Sequence, residues 1–335
     1  SYIKSKNIIK EYELIINAFV SIWDNDFKNL HNFFKKNNIN SSYDVDIIKP
    51  YFKDWSNIEG YADLLVRPNN AIQCAIILKV CYLCNIFLTI SAGKTNLTGS
   101  ATPKGGIVLS TSLLTSPNVK VDIINKEVLS PIGIDLESLR NAVLALSNKK
   151  LYYPVDPTSR NDAFVGGTLA CNASGFVPGE KGSTRYWVNQ IDFLLPNGDL
   201  VKIKRNQYIS NNGYFSLKYN KQIIQIPVPT YNRPKIKNAS GLYSDYNGKM
   251  DLIDLIIGSE GILGMIISCT LQLAPYPRDH LELFISLKSE SEAIDFHDFL
   301  YNYFNSDMGK ITALEYFGYN SQNYMKHKNF LFSND

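Results

Sequence analysis

The apolar positions change their spacing along the chain, and each change predicts a different kind of structure. Between residues 1 and 58, Tyr12, Ile15, Ile16, Phe19 and Ile22 recur at helical intervals with charged side chains between them and no glycine. This pattern predicts a helical N-terminal extension. From Tyr61 the elements shorten. Leu64-Leu65-Val66 reads as a strand, residues 70–84 as a helix and Ile86 to Ile90 as a strand, which together make a β-α-β unit feeding a loop. Strands are expected at Gly105 to Ser110 and Val119 to Ile124, followed by a helix from Asp135 to Leu146. Asp135 suits its N-cap, and Leu136, Leu139, Val143 and Leu146 share one face. Residues 190–203 predict two strands joined at Asn197-Gly198. The polar, Asn- and Tyr-rich segment 204–235 reads as a surface excursion. Strands are expected again at 253–257 and 265–273, with Pro275 and Pro277 closing the unit. Beyond them, Leu283 to Leu287 as a strand and Glu290 to Phe304 as a helix begin another α+β unit, too short to be a complete domain. The expected class is α+β, with a helical extension over 1–58, a main domain over 59–277 and the start of a further domain over 278–335.

Composition narrows the function classes. The 335 residues are 45% hydrophobic and 19% charged, and the formal net charge of +3 is spread without a basic stripe, which argues against a nucleic-acid partner. Five cysteines at irregular spacing fit reduced thiols of a cytoplasmic protein better than a disulfide framework. Cys81 and Cys84 fall on the apolar helix and read as core. The stretch from Ala71 to Ile90 has the length of a membrane span, but Lys79, Gln73 and Asn85 interrupt it, so a buried helix running into a buried strand is expected. No secretory signal pattern opens the sequence. A cytoplasmic location follows as the expectation, with peripheral attachment at the inner face of a membrane left open.

Three loops carry the candidate chemistry. The first, Ser91-Ala-Gly-Lys-Thr-Asn-Leu-Thr-Gly99, follows a strand and offers a nest of backbone N–H groups for an anion. The second runs from Asp156-Pro-Thr-Ser159 through Gly166-Gly167 to Cys171-Asn-Ala-Ser-Gly175. The third, Leu255-Ile-Ile-Gly-Ser-Glu-Gly-Ile-Leu-Gly264, places three glycines and an acid in an apolar run, where a packed core alone would choose neither. Together, in this order and at this spacing from about Tyr61 to Pro277, they resemble the vanillyl-alcohol-oxidase or PCMH type of FAD-binding domain. The resemblance is to the branch holding glycolate oxidase and flavin-dependent D-lactate dehydrogenase. It implies two α/β subdomains around FAD, followed by a substrate or cap domain.

Carried over by position, the resemblance assigns Ala92, Gly93, Lys94, Thr95, Asn96 and Leu97 to the pyrophosphate. Pro157, Ser159, Gly166, Gly167, Asn172, Ser174 and Gly175 are assigned to the flavin and diphosphate, and Glu260, Gly261 and Ile262 to the adenosine side. Arg185 stands in Gly182-Ser-Thr-Arg185, similar to the family's Gly-Xaa-Thr-Arg turn. Lys94 stands where the family commonly has glycine, so its side chain either turns outward or adds a cation beside the phosphates. None of His31, His280, His297 and His327 falls in these loops, so the expected FAD is non-covalent, and Cys171 reads as a buried thiol. No metal ligands are expected.

The implied activity is FAD-dependent oxidation of a D-2-hydroxy acid of the D-lactate or glycolate type, by hydride transfer to flavin N5. Lys235-Ile-Lys-Asn-Ala-Ser-Gly241 is similar to a family stretch near the flavin, which makes Lys235, Lys237 and Ser240 the candidate catalytic residues, the lysines to pair a carboxylate and the serine to hydrogen-bond. Two solvated lysines on a loop account for that stretch equally well. In the resembled enzymes the general base belongs to the cap, so none is assigned here. Without iron-sulfur cysteine spacing, the electron acceptor is expected to be a quinone, a cytochrome, oxygen or another protein. Two alternatives accompany this reading: a short FAD-binding subunit of a multisubunit oxidase, with a partner supplying the acid-binding site, and a flavoenzyme like UDP-N-acetylenolpyruvoylglucosamine reductase.

Overall fold

The computed structural model describes residues 2–321 except 220, 221, 235, 240, 246 and 319, and Tyr219 by its backbone alone. The β-α-β unit forms as the sequence predicts. Strand Leu64–Arg67 leads into helix Ala71–Cys84, capped by Asn70, whose side-chain oxygen accepts from Gln73 N at 2.9 Å. Residues Gln73 to Leu78, Val80 and Cys81 of this helix are buried, so apolar positions surround most of it, as a run interrupted by Gln73 and Lys79 requires. Each aliphatic side chain removed from water contributes about 2 kcal/mol. Strand Leu88–Ser91 follows and pairs parallel with Ile107–Ser110, giving a four-stranded sheet in the order Asn40–Ser42, Leu64–Arg67, Ile107–Ser110, Leu88–Ser91. Ser91, which opens the first glycine loop, pairs with Ser110 at the end of the neighbouring strand.

A second, six-stranded sheet runs Lys6–Asn7, Asp199–Lys204, Val188–Leu194, Met265–Gln272, Glu127–Pro131, Lys120–Asp122. Its central hairpin turns at Asn197-Gly198, where Gly198 has φ +84°. Helix Leu136–Leu146 is capped by Asp135, whose carboxylate accepts from Ser138 N at 2.7 Å. Leu136, Leu139 and Val143 are fully buried, whereas Leu146 at the helix end is exposed. One hydrophobic core joins both sheets to the N-terminal residues Ile9, Ile16, Leu30, Phe34 and Ile39. Besides helices Glu13–Ser21 and Phe27–Lys36, that segment supplies strands to three sheets.

Three expectations are corrected. Segment 204–235 contains a hairpin, Tyr214–Tyr219 with Gln222–Pro227, which takes Ile3–Lys4 as a third strand and buries Phe215 and Leu217. Residues 252–256 form a short helix where a strand was expected. Asp251 caps it through Ile253 N at 3.0 Å, and a brief run that is apolar on every side fits either element. Leu283 to Leu287 forms no strand, and Leu281, Leu283 and Ile285 are exposed. Helix Glu290–Tyr303 beyond it forms, with no buried residue.

Candidate functional site

The three loops, drawn from widely separated parts of the chain, line one cleft with about 1210 Å³ of space including its open mouth. Each loop holds one non-glycine residue with a left-handed backbone: Lys94 at φ 58°, Asn172 at φ 46° and Glu260 at φ 51°. Such strain persists where surrounding structure over-determines it, and it gathers at ligand sites.

In the first loop, Ala92 to Asn96 face the cleft. Gly93 lets this loop touch the second, because a Cβ there would stand 1.9 Å from the Asp162 carbonyl oxygen. Lys94 turns outward: its Nζ donates to the Pro50 carbonyl at 2.6 Å and lies 4.8 Å from the centre of the Tyr51 ring. Burial lowers the pKa of this ammonium. Leu97 is 73% exposed and does not line the cleft.

The second loop is braced from behind. Arg140 and Arg160 hold the Asp156 carboxylate at 2.5 and 2.7 Å, while Pro157 and Ser159 face the cleft. Gly166 packs helix Val165–Ala170 on Ile132, whose Cβ would lie 2.9 Å from an added Cβ. Gly167 differs. A Cβ there would meet only the Ala92 methyl, at 3.2 Å, and otherwise project into the cleft. Ser174 lines the cleft, but Asn172 and Gly175 stand behind it. Asn172 Oδ1 accepts from Arg185 N at 2.8 Å, and Gly175 passes so close to Asp156 that a Cβ would be 2.4 Å from its nitrogen.

In the third loop, Gly258 N and Glu260 N donate to Leu169 O and Ala170 O at 3.0 and 2.9 Å, which fastens it to the helix of the second loop. Glu260 and Gly261 face the cleft, and Glu260 Oε1 accepts from Thr98 Oγ1 at 3.3 Å, closing the ring of loops. Ile262 is exposed and outside the lining. Thr111, Ile132, Phe164, Phe193 and Met265 complete the walls. Nothing in their sequence context distinguishes them from ordinary core residues.

Arg185 also stands behind the cleft. Its Nη2 donates to Ile257 O at 2.5 Å, tying the second loop to the third. Among the candidate catalytic residues, Lys235 and Ser240 lie outside the described residues. Lys237 Nζ donates to Gly175 O and Val177 O, both at 2.9 Å, and burial lowers its pKa while Glu315 opposes.

The lining fits a dinucleotide. Gly167 leaves open a cradle that any side chain would fill, hydroxyls of Thr95, Ser159 and Ser174 border it, and the cationic Lys94 head is engaged elsewhere. A pyrophosphate would therefore be held by backbone N–H groups and hydroxyls rather than by opposite charge. Cys171 is also in the lining, and burial pushes its thiol up to about 11, with Glu260 and Asp54 adding to the effect. A thiol protonated at neutral pH is a poor nucleophile toward a flavin ring. We expect Cys171→Ser to keep its FAD and denaturation of the unaltered protein to release all flavin; fluorescence retained on the denatured chain would contradict this. Among the described residues no group of three or more His, Cys, Asp or Glu side chains could hold a metal, and no helix is long and apolar enough to cross a membrane.

Known proteins agree with this geometry. The family described as FAD binding domain matches residues 62–204. The chain is 25% identical over 244 residues to D-2-hydroxyglutarate dehydrogenase of Xanthomonas citri, covering 72% of this chain and 43% of that protein. It is 28% identical over 233 residues to D-lactate dehydrogenase of Archaeoglobus fulgidus, covering 69% and 43%, and 25% identical over 220 residues to glycolate oxidase subunit GlcD of Bacillus subtilis, covering 65% and 38%. The chain thus spans less than half the length of these relatives. A solved structure of alkyldihydroxyacetonephosphate synthase superposes with a TM-score of 0.56 at 14% identity, over 83% of this chain and 49% of that one, which is a likeness of fold. Residues 62–204, which carry the first two loops of the cleft, are thus similar to the family described as FAD binding domain, and the third loop lies beyond the match.

Proposed function

We propose that this chain is the FAD-bearing part of an enzyme that oxidises a D-2-hydroxy acid of the D-lactate or glycolate type. The observation that carries the proposal is the convergence of three separately encoded loops on one cleft whose inner surface is glycine, hydroxyl and aliphatic. The names of the relatives, all acting on 2-hydroxy acids, support the substrate class. When bound, FAD supplies a two-electron acceptor. The chain's own residues do the holding: Ala92 to Asn96 and Ser174 bind the phosphate side, Phe164, Phe193 and Met265 exclude water, and Thr98 with Glu260 keeps the loops together. The proposal includes main-domain limits of 59–277, a cytoplasmic or membrane-peripheral location, and an acceptor that is a quinone, a cytochrome, oxygen or another protein.

A second reading, an FAD-bearing subunit of a larger oxidase, is favoured by the apolar side chains Leu281, Leu283, Ile294, Phe299 and Tyr303, each more than half exposed among the described residues.

The test is the visible spectrum of the purified protein under anaerobic conditions. The expected result is a flavin spectrum that bleaches on addition of D-lactate, glycolate or D-2-hydroxyglutarate. A flavin that stays oxidised with every acid, and bleaches only when a second protein is added, would select the subunit reading. Bleaching by a nicotinamide nucleotide alone would favour a reductase, and a protein that takes up no FAD would end the proposal.

A further inference from the structure

Ser174, in the lining of the FAD cleft, pairs with Ser183, which lines a second cleft with about 670 Å³ of space including its open mouth. Four cations border this second cleft, Arg185, Arg205, Arg233 and Lys237, against two carboxylates, Glu180 and Asp254. Asp254 is committed to Arg205, 2.5 Å from its Nη1. Among the described residues, no carboxylate lies within ion-pair reach of Arg185 or Arg233. Both guanidiniums lie instead against the Tyr243 ring, their carbons 4.6 and 4.1 Å from its centre.

This arrangement leaves charge and hydrogen-bonding capacity unanswered. Arg185 is 9% exposed, and its Nε, like that of Arg233, is buried without an acceptor among the described residues. Arg233 Nη2 donates one long hydrogen bond, to Asn238 Oδ1 at 3.4 Å. Burial lowers the Arg185 pKa to about 10; Arg233 and Arg205 add repulsion and Asp254 opposes it. Buried N–H donors normally have partners, and buried cations normally have counter-charges. Lys237 spends two of its three donors on Gly175 O and Val177 O, so among the described residues one remains.

We infer that this second cleft binds the carboxylate of a small organic acid. A guanidinium presents a planar fork that matches a carboxylate, and Arg233, the less buried of the two, offers it from the cleft wall. Arg185 and Lys237 supply the surrounding positive field. The Tyr243 ring and Ile236 offer apolar contact to a short carbon skeleton, and Glu180 at the border disfavours a polyanion. The inference concerns a site separate from the FAD cleft and stands independently of the redox reading.

Titration calorimetry of the FAD-loaded protein with malonate, succinate and inorganic phosphate, at matched ionic strength, tests it. One acid, malonate or succinate, is expected to bind at one site per chain, with phosphate giving no more heat than chloride. Arg233→Gln should weaken that binding at least tenfold and Arg233→Lys should restore part of it. Asn238→Asp, which places a carboxylate beside Arg233 without removing any cation, should also weaken it and checks the result if Arg233→Gln folds poorly. No binding of either acid at millimolar concentration, equal binding in Arg233→Gln and Asn238→Asp, or binding of phosphate in preference to both acids would each overturn the inference. The flavin absorbance of the same samples reports on the FAD cleft separately, so loss of acid binding with flavin retained removes this site and leaves the redox proposal standing.

Discussion

Replacing Gly167 with leucine is expected to lower FAD affinity at least 100-fold while the chain keeps its fold. A hundredfold loss corresponds to about 2.7 kcal/mol of binding free energy. The expectation rests on where a side chain at 167 would go. Its Cβ meets only the Ala92 methyl at 3.2 Å, so the rest of the side chain has the cleft as its way out. Position 167 lies in helix Val165–Ala170, where leucine is a better helix former than glycine by roughly 0.8 kcal/mol, which offsets the tight contact with Ala92. The same substitution therefore costs the cofactor much and the fold little. Gly93→Ala makes the opposite comparison: its Cβ would stand 1.9 Å from the Asp162 carbonyl oxygen, so the two loops must separate and both fold and flavin suffer. Flavin absorbance per chain, fluorescence titration with FAD and thermal unfolding with and without FAD distinguish the cases. FAD at 100 times its dissociation constant should stabilise the unaltered protein by about 2.7 kcal/mol and Gly167→Leu hardly at all. Near-normal FAD binding by a folded Gly167→Leu variant would place the cofactor elsewhere.

That contrast also explains why the cleft is legible in the sequence. A glycine that admits a neighbouring backbone, as Gly93, Gly175 and Gly264 do, is conspicuous because packing alone gives no reason for it, most of all at Gly264 in its apolar run. The hydroxyl residues beside these glycines are conspicuous for the same reason. The cleft walls are not, since Phe193 and Met265 occupy strands whose apolar residues are expected for burial in any case. Chain-distant pairing is equally silent. Nothing near Tyr214 announces that Ile3–Lys4, some two hundred positions earlier, completes its sheet, so a segment rich in Asn and Tyr reads as a loop although Phe215 and Leu217 point inward. Arg233 suffered the same fate: within a presumed surface excursion it reads as one more solvated cation, and only the fold brings it to Tyr243 and Arg185. Asn172 and Arg185 were legible as special residues, but the fold places them behind the cleft, where they tie loop to loop.

Arg205→Ala is expected to destabilise the fold by about 3 kcal/mol, because it breaks a mostly buried ion pair and strands its partners. The side chain is 24% exposed and makes three separate attachments. Its Nη1 is 2.5 Å from Asp254, its Nε donates to Val188 O at 3.1 Å, and its Nη2 donates to Arg185 O at 2.8 Å. Asp251, 6% exposed and 3.9 Å away, gains from the same charge. Burial raises the pKa of Asp251, so the native carboxyl holds its proton to a higher pH than the unfolded one and its contribution to stability falls as pH rises through that interval. Without Arg205 the native pKa rises further, and the variant's deficit should be smaller at pH 5 than at pH 8. Chemical denaturation at both pH values measures this; an equal deficit would mean that lost packing and carbonyl contacts, rather than charge, account for the cost. The effect should reach the cofactor as well. Arg205 fixes the carbonyl of Arg185, Arg185 fixes Asn172 and Ile257, and those residues anchor the second and third loops. A folded Arg205→Ala protein should therefore bind FAD more weakly even though Arg205 does not line the cleft, whereas unchanged FAD affinity would show that the loops hold their positions without this brace.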